Sequence, residues 1–153
     1  MSESETRQVV ARNRRAYRNF EIFEKLEAGI VLVGPEVKSL RSGKSSIAEA
    51  YAGFKGHELF LFDMHVPEYS HTGYTPHEPL RPRKLLLHRR ELRKLEESLA
   101  RRGLTLVPLE IYFVSGRAKV ELGLARGRKR HDKRDAVKRE EARREARGAE
   151  GKR

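Results

Sequence analysis

The sequence predicts a mainly β protein of the α+β class: a small six-stranded antiparallel β-barrel with flanking helices and a basic C-terminal tail. Short segments of alternating apolar residues are separated by tight turns, which favours antiparallel pairing of neighbouring strands. The chain shows no repeat of strand, helix and parallel strand. Near Ala125 the apolar alternation stops and a run of Lys and Arg begins, which marks the end of a folded body.

Composition narrows the class of partner. The 153 residues suffice for one domain with a single modest core plus an extension. Lys and Arg number 34 against 22 Asp and Glu, a net charge of +12, so nucleic acid is the first partner to expect. A membrane is disfavoured, because no segment approaches the ~20 apolar residues of a spanning helix. The absence of cysteine excludes disulfides, thiolate catalysis and Cys-type zinc sites, and the polar N-terminus without a secretory signal pattern predicts the cytoplasm.

The N-terminal third is expected to hold an arm and two strands. Residues 1–12 lack apolar periodicity and are predicted to form a flexible arm. In residues 13–18, three arginines surround Tyr17. Either the arginines contact phosphates while Tyr17 stacks on a base or sugar, or the segment is a solvated lead-in to the first strand. Residues 20–24 and 26–34 are predicted as two strands, the second buried and bent at its glycines. Glu27 can accept hydrogen bonds from a guanine edge or a ribose hydroxyl, or be a plain surface charge.

The middle of the chain predicts a short helix, a hairpin and a long connection. Pro35 opens the helix, and Ser42-Gly43 ends it. Residues 50–55 and 58–64 flank a Gly-His turn and are expected to pair as a hairpin. Residues 66–84 contain four prolines, which favours an irregular connection.

Charged side chains in and around this connection are candidates for binding. Three histidines could suggest a metal, but they lack a rigid scaffold, so solvated or hydrogen-bonded histidines are favoured and no metal or cofactor is predicted. These histidines are His65, His71 and His77. By contrast, Arg81, Arg83 and Lys84 run directly into three leucines, so they are predicted to be a phosphate-binding cluster beside an apolar anchor.

The last part of the body predicts a helix and two strands. The helix begins at Arg89, carries leucines 92, 95 and 99 on one stripe, and ends at Gly103. Residues 104–113 form a strand in which Pro108 implies an edge or a bulge, and residues 119–124 form the closing strand. A barrel of the oligonucleotide-binding (OB) type over residues 13–125 fits this inventory best. A half-open β-sandwich is the alternative.

Residues 126–153 are predicted to be a basic tail. They contain thirteen Lys and Arg and six Asp and Glu, and Val137 is their only sizeable apolar residue, so the tail should be disordered alone. Acidic residues at 135 and 140 each precede an arginine by four positions, which favours a helix when the tail is bound. The alternative is a tail that only improves solubility.

Six motifs in one order resemble the SmpB family, the SsrA-binding proteins of bacterial trans-translation. The resemblance covers about residues 13–139. The motifs are NRRA at 13–16, LEAGI at 26–30, Gly34 with EVKSLR at 36–41, EPLR at 78–81 with RKLLLH at 83–88, GLTLVPL at 103–109, and Gly127 followed by HDKR at 131–134.

This resemblance implies a function. The family's OB-type barrel binds the tRNA-like domain of transfer-messenger RNA, and the pair enters a ribosome that has stalled without a usable codon. The protein stands where an anticodon arm would be, its tail occupies the decoding site and the empty mRNA channel, and elongation factor Tu is implied in the delivery complex. The expected protein is a non-enzymatic RNA-binding adaptor.

The resemblance also implies site residues. Its RNA-binding positions fall on Asn13, Glu27, Leu86 and Lys119, to which the cluster of Arg81, Arg83 and Lys84 is added. Its decoding-site motif falls on Asp132, Lys133 and Arg134, and the adjoining tail residues are Arg126, Gly127, Arg128, Lys129 and His131. The chain departs from the family pattern at Arg18, where the family has a histidine near the decoding centre, and at Pro35, where it has Thr or Trp.

Two other classes compete with this interpretation. An enzyme acting on RNA could use His131 and Asp132 as an acid-base pair, but a tail without a core cannot hold a general base against its substrate. A structural ribosomal protein would share the charge and the tail, and only the ordered motifs speak against it.

Overall fold

The computed structural model describes residues 6–68, 78–128 and 138–144. Within these ranges the chain forms seven strands and three named helices, and residues 138–144 are also helical. In chain order the elements are β1 (Gln8–Arg12), α1 (Ala16–Asn19), β2 (Phe20–Ile30), α2 (Gly34–Arg41), β3 (Tyr51–Lys55), β4 (Glu58–Phe62), β5 (Arg83–Leu86), α3 (Arg89–Arg102), β6 (Thr105–Val114) and β7 (Arg117–Gly127).

Six of the strands close into a ring. The order is β6-β3-β4-β5-β2-β7, and pairing between β6 and β7 completes the barrel. All of these pairings are antiparallel. The prediction of a mainly β, six-stranded antiparallel barrel is therefore confirmed.

The identity of the six strands differs from the prediction at two places. The two strands expected at 20–24 and 26–34 are the single strand β2, whose pairing with β7 shifts register around the exposed Phe23. The missing sixth strand is β5, which lies at the end of the connection expected to be irregular. Periodicity did not reveal β5 because it has only four residues and one of its two inward positions is a charged arginine, Arg83.

The prediction of a flexible arm through residue 12 is wrong for Gln8–Arg12. These residues form β1, which pairs antiparallel with β6 from Glu110 to Phe113. One edge of β6 pairs with β7. The other edge pairs with β3 at Leu106 and, farther along the strand, with β1. A strand of five residues that places only Ala11 in the core has too weak a pattern to be recognised alone.

Other local predictions are confirmed. The hairpin β3–β4 turns at Gly56, which has a φ of 67° that glycine adopts without strain. The helix α3 begins at Arg89, and Gly103 ends it in the left-handed conformation. The pairing of β6 with β7 shifts register between Pro108 and Glu110, so the proline lies beside a bulge as expected.

The core fills the barrel and extends under two helices. On β7, Val120, Leu122 and Leu124 point inward and are almost completely buried. Leu95 of α3 and Leu40 of α2 pack against the same cluster, so both helices cover the barrel. At roughly 1.5–3 kcal/mol for each large apolar side chain, burial of these residues is the main stabilising contribution.

The folded body extends past the predicted boundary at residue 126. Arg126 and Gly127 belong to β7, where they pair with Glu21 and Phe20. Arg128 continues the attachment, since its backbone N–H donates to Asn19 O at 2.8 Å. Residues 129–137 and 145–153, which make up most of the predicted tail, lie outside the described residues.

Candidate nucleic-acid interface

The outward side chains of β2, β7 and β6 form one continuous face, because side chains alternate across each strand. Two rows cross this face. Glu27 of β2 lies opposite Glu121 of β7, which lies opposite Glu110 of β6. The second row lies two residues farther along each strand and consists of Gly29 of β2, Lys119 of β7 and Tyr112 of β6.

A groove of about 910 Å³ opens on this face between β2, β7, the end of β5 and the start of α3. It gathers Glu27, Leu86 and Lys119, three of the four positions that the family resemblance assigns to RNA. Arg117 and His88 lie at the same groove. The barrel therefore brings together residues that are up to 92 positions apart in the sequence.

Leu86 points outward beside Gly29 of β2. Its side chain is 53% exposed. A Cβ atom on Gly29 would lie 3.4 Å from the Leu86 Cβ, an ordinary van der Waals distance, so Leu86 lies directly against this position of β2. An exposed leucine in a groove that is lined by both charged and apolar side chains offers an apolar contact to a base or sugar.

Glu27 is held by a buried tyrosine. The Tyr112 hydroxyl donates a hydrogen bond to Glu27 Oε2, and the Arg7 guanidinium covers the tyrosine ring at 4.2 Å from its centroid. Burial, together with the bond to Glu27, raises the pKa of Tyr112, so the phenol remains a proton donor at neutral pH. The sequence contained no signal for this contact, because Glu27 and Tyr112 are 85 positions apart.

The N-terminal segment balances the carboxylates of this face. Arg7 Nη1 lies 3.6 Å from a Glu121 oxygen and 3.9 Å from a Glu110 oxygen, and Arg12 Nε lies 3.5 Å from Glu110. These ion pairs are partly exposed, so each contributes about 0–1 kcal/mol at most. The arginines partly neutralise these carboxylates, which would otherwise repel a polyanion.

Tyr17, the aromatic residue of the arginine cluster, contacts a lysine of β2. The Lys25 ammonium lies 5.3 Å from the centroid of its ring, and the interaction with Tyr17 raises the pKa of Lys25. Tyr17 is 44% exposed and remains accessible from solvent.

Asn13 has a structural contact away from the groove. Its Nδ2 donates to Pro108 O at 3.1 Å, and its backbone N–H donates to Leu109 O at 2.9 Å. It thereby ties the end of β1 to the bulge in β6. The groove of Glu27, Leu86 and Lys119 does not include it.

The predicted phosphate-binding cluster separates into buried and exposed members. Arg83 is completely buried: its guanidinium donates to Glu36 at 2.7 Å, to Met64 O at 2.6 Å and to Pro79 O at 3.1 Å. The prediction that Arg83 binds RNA is therefore wrong, because its donors are occupied inside the protein. Arg81 also binds Glu36, at 2.5 Å and 3.1 Å, although it is partly exposed. Lys84 points outward, with its Nζ 3.3 Å from a Glu58 oxygen.

Glu36 is the centre of a buried charge network that sequence reasoning missed. Its carboxylate accepts hydrogen bonds from Arg81, Arg83 and the backbone N–H of Val33. Burial alone would raise the pKa of Glu36, but these donors outweigh it and lower the pKa. The sequence showed that Glu36 lies in the first turn of α2. It did not show that Glu36 is completely buried, because that depends on the distant Arg81 and Arg83.

Only three residues of the predicted ribosome-directed set are described. Arg126 and Gly127 end β7. Arg128 attaches to α1 through its backbone N–H and to the start of β2 through Nε, which donates to Phe20 O at 3.2 Å. The other five, Lys129, His131, Asp132, Lys133 and Arg134, lie outside the described residues.

Neither a metal centre nor a membrane span occurs in the part of the chain that the structure describes. No group of three or more His, Asp or Glu side chains there could hold a metal ion. No helix in those same ranges is long and apolar enough to cross a bilayer.

The fold and the groove define a class: a small closed β-barrel with a groove of charged and apolar side chains on its outer face, the form that nucleic-acid-binding barrels take. A family model described as SmpB protein matches residues 10–151. The chain belongs to the SmpB family, which confirms the resemblance found in its motifs.

Similar proteins agree with this assignment. An SsrA-binding protein of Azorhizobium caulinodans is 58% identical over 133 residues, which cover 86% of this chain and 83% of that protein. One from Streptomyces coelicolor is 48% identical over 146 residues, covering 95% and 92%. A solved structure described as "tmRNA-SmpB: a journey to the center of the bacterial ribosome" is 46% identical, with a TM-score of 0.64, and covers 87% of this chain and 94% of that one.

Proposed function

We propose that this protein is the RNA-binding adaptor of trans-translation, which binds the tRNA-like domain of transfer-messenger RNA and delivers it to stalled ribosomes. The observation that carries the proposal is the groove in which Glu27, Leu86 and Lys119 meet. Membership of the family and the names of its SsrA-binding relatives support it.

Each groove residue has a chemically distinct role in the proposal. The Lys119 ammonium neutralises a phosphate, which contributes a salt-dependent part of the affinity. Glu27 accepts hydrogen bonds from a guanine edge or a ribose hydroxyl, with one carboxylate oxygen held by Tyr112. Leu86 packs against the apolar face of a base or sugar. Of the predicted cluster, Lys84 and Arg81 remain partly exposed, so each can turn from its glutamate partner to a phosphate. Asn13 acts by holding β1 to β6.

The tail is the ribosome-directed part of the proposal. Asp132, Lys133 and Arg134 contact the decoding centre, and the basic residues around them lead the tail into the empty mRNA channel. The adjoining residues are Arg126, Gly127, Arg128, Lys129 and His131. Residues 138–144 are already helical in the chain alone, so binding to the ribosome extends this helix along the tail rather than forming it anew. Elongation factor Tu is a partner during delivery, and the protein works in the cytoplasm. The protein has no catalytic step of its own.

Binding measurements test the groove. The protein is titrated with transfer-messenger RNA, an ordinary tRNA and a random RNA duplex at several salt concentrations. We expect preference for transfer-messenger RNA, a loss of ~1–3 kcal/mol for Glu27→Ala and a smaller salt slope for Lys119→Ala. The matched controls are Glu97→Ala on the exposed side of α3 and Lys44→Ala after α2, which should bind like the parent. Unchanged binding by both groove variants would contradict these assignments.

A count of the protein on purified ribosomes separates the adaptor from a structural ribosomal protein. An adaptor should be present on a small fraction of ribosomes, and that fraction should rise when ribosomes stall. A resident protein would be present on nearly all of them under both conditions.

A further inference from the structure

A second surface on the barrel carries three aromatic side chains that the groove does not use. Tyr51, Phe60 and Phe62 lie on the outer face of the β3–β4 hairpin, and we call them the aromatic platform. The rings of Tyr51 and Phe62 are stacked, with centroids 5.4 Å apart and an angle of 28°. Phe60 adjoins Phe62 at 6.2 Å.

A glycine lies beneath the rings of this platform. Gly53 lies between the rings on β3, and a Cβ atom there would meet Phe62 Cε2 at 3.4 Å. The Phe62 ring therefore lies close against β3 at this position. Tyr51 is 45% exposed, so the platform presents aromatic surface to solvent.

The platform is continuous with the proposed RNA groove through β5. Phe60 pairs with Lys84, and Leu86, the next outward residue of β5, lines the groove. Two residues of a strand span about 7 Å. An RNA strand that leaves the groove over Leu86 therefore reaches the aromatic rings without crossing another element.

We propose that the aromatic platform stacks unpaired bases of RNA. Accessible aromatic rings beside a groove that holds the backbone are how proteins bind single strands without reading their sequence. Stacking rather than charge should dominate, because Glu58 already pairs with Lys84 at 3.3 Å. A protein partner is disfavoured, because three partly buried rings by themselves expose less surface than the ~800 Å² that each partner buries in a stable protein interface. The inference rests on the groove holding RNA, but not on that RNA being transfer-messenger RNA.

The test compares single-stranded and duplex RNA. The probes are a strand of about twelve uridines and a duplex of similar length, since a duplex hides the faces of its bases. Tyr51→Leu should lower affinity for the strand about tenfold and leave the salt slope unchanged, because no phosphate contact is lost. Its affinity for the duplex should not change. Tyr51→Phe keeps the ring and should bind like the parent, as should Val33→Ala, which removes another exposed apolar side chain.

Two further measurements secure the result. Phe62→Leu repeats the test with a different ring, and circular dichroism verifies that each variant is folded. In the parent, the ring-proton resonances of the platform should shift on titration with the strand and not with the duplex, a readout that needs no substitution.

Four results would overturn the proposal. One is parent-like strand affinity in folded Tyr51→Leu or Phe62→Leu. Another is an equal loss of affinity for strand and duplex. The third is strand titration that leaves the parent's ring resonances unmoved. The fourth is a parent dimer that Tyr51→Leu disrupts with RNA affinity unchanged, which would assign the platform to contact between copies. These assays do not use transfer-messenger RNA. They would therefore still test the platform if the protein proved not to bind that RNA.

Discussion

At the scale of single residues, a buried carboxylate joins three separate parts of the chain. Glu36 opens α2, Arg83 begins β5, and Arg81 lies in the connection before it. Arg83 further binds Met64 O and Pro79 O, so the network also holds the two ends of the connection between β4 and β5. Such a network is costly to break from one side, because the remaining charge stays buried without its partner.

Replacing Glu36 by Gln should destabilise the protein by about 3–5 kcal/mol, since Arg83 would lose its counter-charge while completely buried. Urea denaturation followed by circular dichroism measures this. Arg81→Ala is the control: its partly exposed side chain can be replaced by water, so a smaller cost is expected. Equal stability of Glu36→Gln and the parent would show that the network does not stabilise the fold.

The same network makes stability depend on pH. The hydrogen bonds of Glu36 lower its pKa below the ordinary 4.5, so on acidification the unfolded chain takes up a proton first. Stability contributed by Glu36 is complete above that ordinary value and is lost as pH falls through the lower pKa of the folded state. We expect the free energy of unfolding of the parent to fall more steeply below about pH 4.5 than that of Glu36→Gln.

Tyr112 is expected to orient Glu27 for RNA. Tyr112→Phe removes the hydroxyl that holds the carboxylate and should weaken binding of transfer-messenger RNA by about 0.5–1.5 kcal/mol. A merely structural role would lower stability and leave affinity unchanged, so both are measured. If Tyr112 acts through Glu27, the substitution should have no further effect on affinity in a Glu27→Ala background. Full additivity of the two losses would contradict this.

At the scale of elements, β1 is part of the fold. It pairs with β6 and buries Ala11. Arg7, just before the strand, and Arg12, its last residue, form ion pairs with glutamates of β7 and β6. The sequence predicted a flexible arm over residues 1–12. The pairing of its last five residues with β6 predicts instead that they stabilise the fold.

Deleting residues 2–12 should therefore lower the melting temperature, with a loss of about 2 kcal/mol from lost strand pairing and apolar burial. Differential scanning calorimetry measures the change. The control is deletion of residues 2–5, which stops before Arg7 and β1 and should melt like the parent. A melting temperature unaffected by the longer deletion would mean that β1 adds nothing to the stability of the barrel.

At the scale of the whole molecule, the division between barrel and tail predicts that binding and tagging can be separated. Truncation after Arg130 leaves every strand intact, because β7 ends at Gly127 and Arg128 completes the attachment to α1. The truncated protein should fold and keep most of its affinity for transfer-messenger RNA, whereas peptide tagging on stalled ribosomes should fail.

Changing Asp132, Lys133 and Arg134 together to alanine should give the same separation in a full-length chain, through loss of charged contacts to ribosomal RNA. Tagging and RNA affinity are measured side by side for both variants. Replacing Glu145 and Arg147 by alanine, farther along the tail, is the matched control and should affect tagging less. Normal tagging by the truncated protein would reduce the tail to a solubility device.

The sequence by itself determined the features that depend on neighbouring residues. The leucine stripe and the glycine stop of α3, the β3–β4 hairpin and the alternation of β7 are local patterns, and each was predicted from a single segment. Six ordered motifs sufficed to recognise the family, and the outward groove position of Leu86 agrees with the role that they assign.

Only the tertiary structure decided which charges are buried and which strands complete the sheet. Arg83 has the sequence context of a phosphate ligand, but Glu36, 47 positions away, binds it inside the protein. Residues 8–12 have the composition of an arm, but they pair with β6, about a hundred positions later in the chain. Tyr112 and Glu27 likewise meet only when the barrel closes. A hydrogen bond or ion pair between distant segments leaves no periodicity in either of them, so the physical reason for these positions exists only in the folded chain.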